Sequence, residues 1–135
     1  MVRVTADSNI ISALMFGGKP LAVLEMTLDG EIELAISEAI LTKTLRVLRD
    51  KFHRTPEQLQ EAEGFLTAVT RYVYPVERLD AVPTDKDDNR VLECAVAADS
   101  EAIVSGDSDP LRLGHFRGID IMKASDLIGR LEGRT

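Results

Sequence analysis

Short strand-like apolar segments alternate with longer segments of helical periodicity along the whole chain. Strands are predicted at residues 2–6, 32–36, 72–76, 102–105 and 119–122. Between them, apolar residues recur every three or four positions, as in segment 40–52, which is the spacing of amphipathic helices. Strands that alternate with helices form a mostly parallel sheet covered on both faces. The sequence therefore predicts an α/β fold with three layers, α/β/α, and turns or loops at 16–20, 79–86 and 106–110.

The length and charge of the chain restrict its class. Its 135 residues suit one domain, predicted to span 1–135, and no apolar run approaches the length of a membrane span. The net charge of -7 argues against a protein that coats nucleic acid through general electrostatics. A single cysteine, Cys94, cannot form an internal disulfide and is predicted to be a small core residue. We expect a cytoplasmic protein without a membrane segment.

Three aspartates are placed where they can meet. Asp7 follows the first predicted strand, and Asp107 follows the fourth after Gly106. Ligands of open α/β sheets bind beyond the carboxyl ends of the strands. Asp88 shares a helical face with apolar residues three, four and seven positions later, so its carboxylate should point inward. An inward carboxylate is costly unless it is paired or binds a metal.

This arrangement suits a hard divalent cation. Mg²⁺ and Mn²⁺ prefer carboxylate oxygens, and such ions activate water and stabilise leaving oxygens in phosphodiester cleavage. Asn9 could orient Asp7, and Ser105 could orient Asp107 or contact a substrate phosphate. Taken singly, each motif has an ordinary structural explanation as a helix cap, a favourable helix-dipole position or a turn. Their joint placement favours the functional interpretation.

Four stretches in order, 4–11, 36–41, 85–95 and 103–111, resemble the PIN-domain family, particularly the compact toxins of bacterial and archaeal toxin–antitoxin pairs. The resemblance implies a three-layer fold and an endoribonuclease activity that depends on Mg²⁺ or Mn²⁺. It implies metal ligands at Asp7, Asp88 and Asp107, with Asn9 as a supporting amide and Asp109 as a further acidic residue. It also implies an RNA substrate, an antitoxin partner that blocks the site, and a homodimer.

One position departs from the family pattern. The family usually has Glu about six residues after the serine that corresponds to Ser37, but this chain has Lys43. At an effective dielectric constant of about 20, a lysine roughly 6 Å from a divalent ion opposes it by on the order of 5 kcal/mol. Glu93 does not replace the missing carboxylate, because its helical angle predicts that it is solvated. Either metal binding is weakened, or Lys43 contacts the RNA phosphate.

Two functions therefore stay open. The first is a toxin-like ribonuclease, and the second is a catalytically reduced PIN module that binds RNA or a protein without cutting. An aspartyl phosphatase is disfavoured, because such enzymes need a second Asp where this chain has Asn9. A locally basic patch follows Lys43 and is usually a solvated helix face, although it could receive RNA. It contains Arg46, Arg49, Lys51 and Arg54.

Overall fold

The structure is a computed structural model that describes residues 1–13, 18–82 and 86–133. In chain order the elements are β1 (Val2–Ala6), α1 (Ser8–Ala13), α2 (Gly18–Leu28), β2 (Ile32–Ile36), α3 (Glu38–Asp50), α4 (Pro56–Val69), β3 (Arg71–Tyr72), α5 (Lys86–Ala97), β4 (Ala102–Val104), α6 (Ser108–Leu113), β5 (His115–Phe116), β6 (Ile119–Met122) and α7 (Ala124–Glu132). Residues 16–17 of the predicted turn and residues 83–85 of the predicted loop lie outside the described residues. The rest of the predicted turn, 18–20, is instead the start of α2.

The strands form a six-stranded sheet in the order β3-β2-β1-β4-β6-β5. All neighbouring pairs are parallel except β5 with β6. The chain adds β2 and β3 on one side of β1 and then crosses to place β4 on the other side. The strand order therefore reverses between β1 and β4, which is where α/β sheets open a crevice for ligands. The predicted mostly parallel sheet is confirmed.

Helices cover the sheet and complete three layers around an aliphatic core. On one side α2 contacts α7, and on the other α5 contacts α3 as well as β1 and β4. The central strands are buried along their length because helices cover both faces. Completely buried apolar strand residues are Val4, Ala6, Ile36, Ile103 and Val104. Cys94 is also buried, so the prediction of a core cysteine is confirmed.

Local hydrogen bonds explain where α3 and α4 begin. The Ile40 amide donates to the Ser37 hydroxyl over 3.4 Å, so Ser37 satisfies one free amide at the start of α3. Thr55 and Gln58 form a reciprocal capping box at the start of α4, with bonds of 2.9 and 3.2 Å. Both helices start at short polar side chains, as this capping chemistry requires.

The prediction that Glu93 is solvated is wrong. Its side chain is only 6% exposed, accepts a 2.8 Å hydrogen bond from the Leu79 amide and lies 2.9 Å from the Arg90 guanidinium. The segment that contains Leu79 covers this face of α5. Helical angle alone assigns a residue to a face, but it does not reveal whether a distant loop covers that face.

Two further predictions need correction. The predicted third strand, 72–76, is reduced to β3 at Arg71–Tyr72. The predicted turn at 106–110 instead leads into α6, with Asp107 at the N-cap position and a buried Pro110 in the first turn. Proline is tolerated there because the first amides of a helix have no partner within it. Within the described residues, no helix is both long and apolar enough to cross a membrane.

Candidate active site

Asp7 and Asp107 meet because they follow neighbouring parallel strands. In the register of β1 and β4, Ala6 lies beside Val104, and the Asp7 amide donates to the Val104 carbonyl over 3.0 Å. Parallel strands end at the same edge of a sheet, so the residues after them share that edge. The two aspartates therefore lie in the crevice where the strand order reverses.

The Asp7 carboxylate is held by three donors. The Ile10 amide donates to Oδ1 over 2.8 Å. The Ser105 hydroxyl donates to Oδ2 over 2.6 Å, and the Gly106 amide donates to the same oxygen over 3.3 Å. Asp7 is 3% exposed. Asp7 thus serves as a cap for α1, as its ordinary structural explanation required, and it is also fastened to the end of β4.

Ser105 and Asn9 link Asp7 to Asp107. The Ser105 hydroxyl accepts a 3.0 Å hydrogen bond from the Asp107 amide while it donates to Asp7. The Asn9 amide group donates to Oδ1 of Asp107 over 3.4 Å. Asn9 was expected to orient Asp7 and Ser105 to orient the Asp107 carboxylate. The structure instead has Asn9 bonded to the Asp107 carboxylate and Ser105 bonded to the Asp7 carboxylate.

The pKa of Asp7 reflects its burial and its hydrogen bonds. Burial raises the pKa of Asp7 above its usual value, against the lowering effect of the Ser105 hydrogen bond. The Ile10 amide also lowers this pKa, whereas the nearby charge of Asp107 raises it. A cation bound between these carboxylates would oppose both causes that raise the pKa, because positive charge favours the ionised form.

Asp88 is buried, as predicted from its helical face. It lies in the first turn of α5 and is 4% exposed. Because α5 leads from β3 back to the start of the parallel strand β4, its first turn lies toward the carboxyl edge of the sheet. Asp88 therefore lies toward the edge that holds Asp7 and Asp107, and its convergence with them stays a prediction.

Asn89 anchors the start of α5, a contact that sequence reasoning missed. Its side-chain oxygen accepts from the Val82 amide over 2.8 Å, and its amide group donates to the Val82 carbonyl over 2.7 Å. Asn89 is 1% exposed. The signal in the sequence was a polar residue at a core position of a helix. The two bonds fasten the Val82 backbone to the first turn of α5, beside Asp88.

Lys43 and Asp109 form ion pairs. The Lys43 ammonium lies 3.1 Å from Oδ2 of Asp87, and the Lys43 side chain is 23% exposed. This pair joins α3 to α5 one residue before Asp88. Asp109 is in the first turn of α6, where its carboxylate accepts a 3.2 Å hydrogen bond from Arg112.

The chemical type of the side-chain oxygens at this edge suits a hard cation. Carboxylate and amide oxygens are what Mg²⁺ and Mn²⁺ select, and Asp7 with Asp107 supplies two carboxylates in electrostatic contact. Across residues 1–13, 18–82 and 86–133, no group of three His, Cys, Asp or Glu side chains is arranged to hold a metal ion. The assignment of Asp7, Asp88 and Asp107 as a three-ligand set therefore stays a prediction.

Comparison with known families agrees with this geometry. A family model described as the PIN domain matches residues 3–109, which include β1, the capped start of α3, the start of α5 and the end of β4. No curated protein matches the chain.

Proposed function

The chain belongs to the PIN-domain family, and from this premise we propose that it is a metal-dependent endoribonuclease of the toxin type. PIN domains are generally nucleases that depend on divalent metals. The observation that carries the proposal is the connection of Asp7 to Asp107 through the Ser105 hydroxyl, at the edge where β1 and β4 end. Such an arrangement would offer two fixed carboxylates to a divalent cation.

We assign the following roles. Asp7, Asp88 and Asp107 would hold Mg²⁺ or Mn²⁺, which supplies an activated water and stabilises the leaving oxygen when bound. Ser105 fixes the Asp7 carboxylate through its 2.6 Å hydrogen bond. Asn9 restrains the Asp107 carboxylate. These bonds reduce the motion of the carboxylates before an ion or substrate arrives, which is how supporting groups strengthen a metal site.

A second function is favoured by Lys43. Its ion pair with Asp87 places an ammonium where the family usually has a carboxylate, and a positive charge opposes a nearby metal ion. In this alternative, the chain is a PIN module that binds RNA or a protein and cleaves poorly. Weak Mn²⁺ binding by the unmodified protein would favour this alternative.

The biological setting is part of the proposal. We propose a cytoplasmic toxin with an antitoxin that covers the carboxylate edge, and a homodimer as its working form. A cognate antitoxin should cover Asp107, which is only partly buried, and slower hydrogen exchange of the exposed Gly106 amide would report this. Sedimentation of the purified chain measures the oligomeric state.

Cleavage assays test the nuclease assignment. Mixed single-stranded and structured RNAs are incubated with Mn²⁺ or Mg²⁺ and with the unmodified protein, Asp7→Asn or Lys43→Glu. Cleavage by the unmodified protein that is lost in Asp7→Asn supports the ribonuclease. Cleavage by Lys43→Glu alone supports the binding module, and cleavage that survives Asp7→Asn contradicts the proposed site.

A further inference from the structure

Positive charge is concentrated in one twelve-residue segment of an acidic chain. Segment 43–54 holds five Lys or Arg residues and one acidic residue, Asp50, so its net charge is +4. Because the whole chain carries -7, the remaining residues carry -11. The five cations form what we call the basic face: Lys43, Arg46, Arg49, Lys51 and Arg54. Such a separation of charge creates a local positive potential on an otherwise negative protein.

The amphipathic α3 directs this charge outward. Its buried side is formed by Ile40, Leu41, Thr44 and Leu48, whereas Arg46 and Arg49 are exposed. Two shallow depressions of about 140 and 260 Å³ lie on the outward side and share Arg46. One is lined by Lys43, Arg46, Val47, Asp50 and Lys51, and the other by Thr42, Leu45, Arg46, Arg49 and Leu59. The outward side of α3 is therefore grooved beside Arg46.

The basic face begins beside the candidate active site. Lys43 lies 3.1 Å from Asp87, which directly precedes Asp88. From Lys43 to Lys51 the helix advances about 12 Å, given a rise of about 1.5 Å per residue. The cations thus extend away from the carboxylate edge along α3, with Lys43 paired to Asp87 and Arg49 paired to Asp50.

We propose that the basic face binds the phosphate backbone of a single RNA strand that enters the carboxylate site. This inference rests on the proposed function and adds the direction of substrate approach. Charge complementarity favours a polyanion, since Arg and Lys recognise successive phosphates without reading base sequence. An acidic surface of a second copy of the chain is the competing occupant, and the test below separates it from RNA.

The experiment measures RNA binding without cleavage. In an Asp7→Asn background, the triple variant Arg46→Gln/Arg49→Gln/Lys51→Gln is compared with its parent by fluorescence anisotropy of a short labelled RNA over a salt series. Loss of three phosphate contacts should reduce the slope of log K against log salt by about 2, because each contact contributes about 0.7 for single strands. The affinity ratio of parent to variant should then shrink about twentyfold from ~0.05 to ~0.2 M salt.

A second triple variant controls for net charge. Arg71→Gln/Arg117→Gln/Arg130→Gln removes three charges from exposed ion pairs with Glu33, Glu77 and Asp120, which contribute little to stability. Its salt slope should differ from that of the parent by less than about 0.7, one phosphate contact. Thermal unfolding of both triple variants verifies that each is folded.

Several results would overturn the inference. These are a parent protein that does not bind RNA, equal effects of the two triple variants, or a basic-face variant that binds RNA normally. If that last variant also loses self-association in sedimentation, the basic face is an interface between copies. Cleavage distinguishes this inference from the proposed function. If the unmodified protein cleaves RNA but the basic-face variant binds RNA as its parent does, only the proposed path is refuted. If binding depends on the basic face but the unmodified protein does not cleave, the path is supported and the nuclease is refuted.

Discussion

The charge at position 43 should affect the affinity of the metal site proposed at the carboxylate edge. Lys43 is paired with Asp87 at 3.1 Å and is 23% exposed. Lys43→Gln removes one positive charge, and Lys43→Glu changes the charge by two units. We expect Mn²⁺ affinity to rise from the unmodified protein to Lys43→Gln and again to Lys43→Glu.

The size of this effect follows from Coulomb's law. About 6 Å from a divalent ion, with a water-like dielectric constant of about 80, one unit of charge contributes about 1.4 kcal/mol and two units about 2.8 kcal/mol. These energies correspond to about tenfold and about a hundredfold in affinity. The water-like value is used because the side chain is partly exposed and its neighbour Asp87 is present in all three proteins.

The same substitutions have the opposite effect on stability without metal. A partly exposed ion pair contributes about 0–1 kcal/mol, and a Glu beside Asp87 adds about 1 kcal/mol of repulsion. Urea unfolding in a chelator should therefore show Lys43→Glu about 1–2 kcal/mol less stable than the unmodified protein. Mn²⁺ should recover this difference, because binding to the folded state alone stabilises it.

Isothermal titration with Mn²⁺ measures the affinities directly, and Asp7→Asn is the control that should abolish binding at this site. Equal Mn²⁺ affinities for all three residues at position 43 would refute the reasoning, because they would place that position beyond electrostatic reach of the ion. A graded series that persists in the Asp7→Asn background would show that the ion binds elsewhere.

Three further predictions concern the supporting groups. Ser105→Ala removes the hydroxyl between Asp7 and Asp107 and should lower the free energy of unfolding by about 1–3 kcal/mol; an unchanged urea midpoint would contradict this. Asn89→Ala leaves both polar backbone groups of Val82 without their partner; the expected loss is about 2–4 kcal/mol, with faster exchange of the Val82 amide, whereas unchanged exchange would rule the anchor out. The raised pKa of Asp7 means that the folded state holds this proton more tightly than the unfolded state. In the presence of a chelator, the free energy of unfolding of the unmodified protein relative to Asp7→Asn should be greatest below pH 3.8, the usual pKa of this side chain. It should fall as pH rises through the pKa of Asp7 in the folded state. An increase in this free energy over the same pH interval would show that hydrogen bonding outweighs burial.

The convergence of Asp7 and Asp107 could be predicted because it follows from parallel pairing alone. Each aspartate follows a strand within three residues, and adjacent parallel strands bring their carboxyl ends together. The burial of Asp88 was also predictable, since a helix with 3.6 residues per turn places it with the apolar residues of α5. Ser37 and Thr55 cap α3 and α4 for a similarly local reason, the need to satisfy free amides.

Contacts that depend on distant segments could not be predicted in this way. Glu93 is buried because the loop that contains Leu79 lies over it, and no property of α5 reveals that loop. The hydrogen bonds of Asn9 and Ser105 depend on the register of β1 with β4, which determines which residues lie side by side at the sheet edge. Periodicity determines faces, whereas partners depend on tertiary packing.

Lys43 links the two charge patterns of the site. The carboxylate edge is proposed to bind a metal ion and the basic face to bind phosphates, and Lys43 lies between them through its ion pair with Asp87. A carboxylate at this position would strengthen the metal site but interrupt the cationic path, because it would place a negative charge where the RNA backbone is proposed to approach the carboxylates. Lys43→Glu should therefore change metal and RNA binding in opposite directions. Only if the gain in metal affinity exceeds the loss in RNA affinity does the family's usual carboxylate make the better nuclease in this chain.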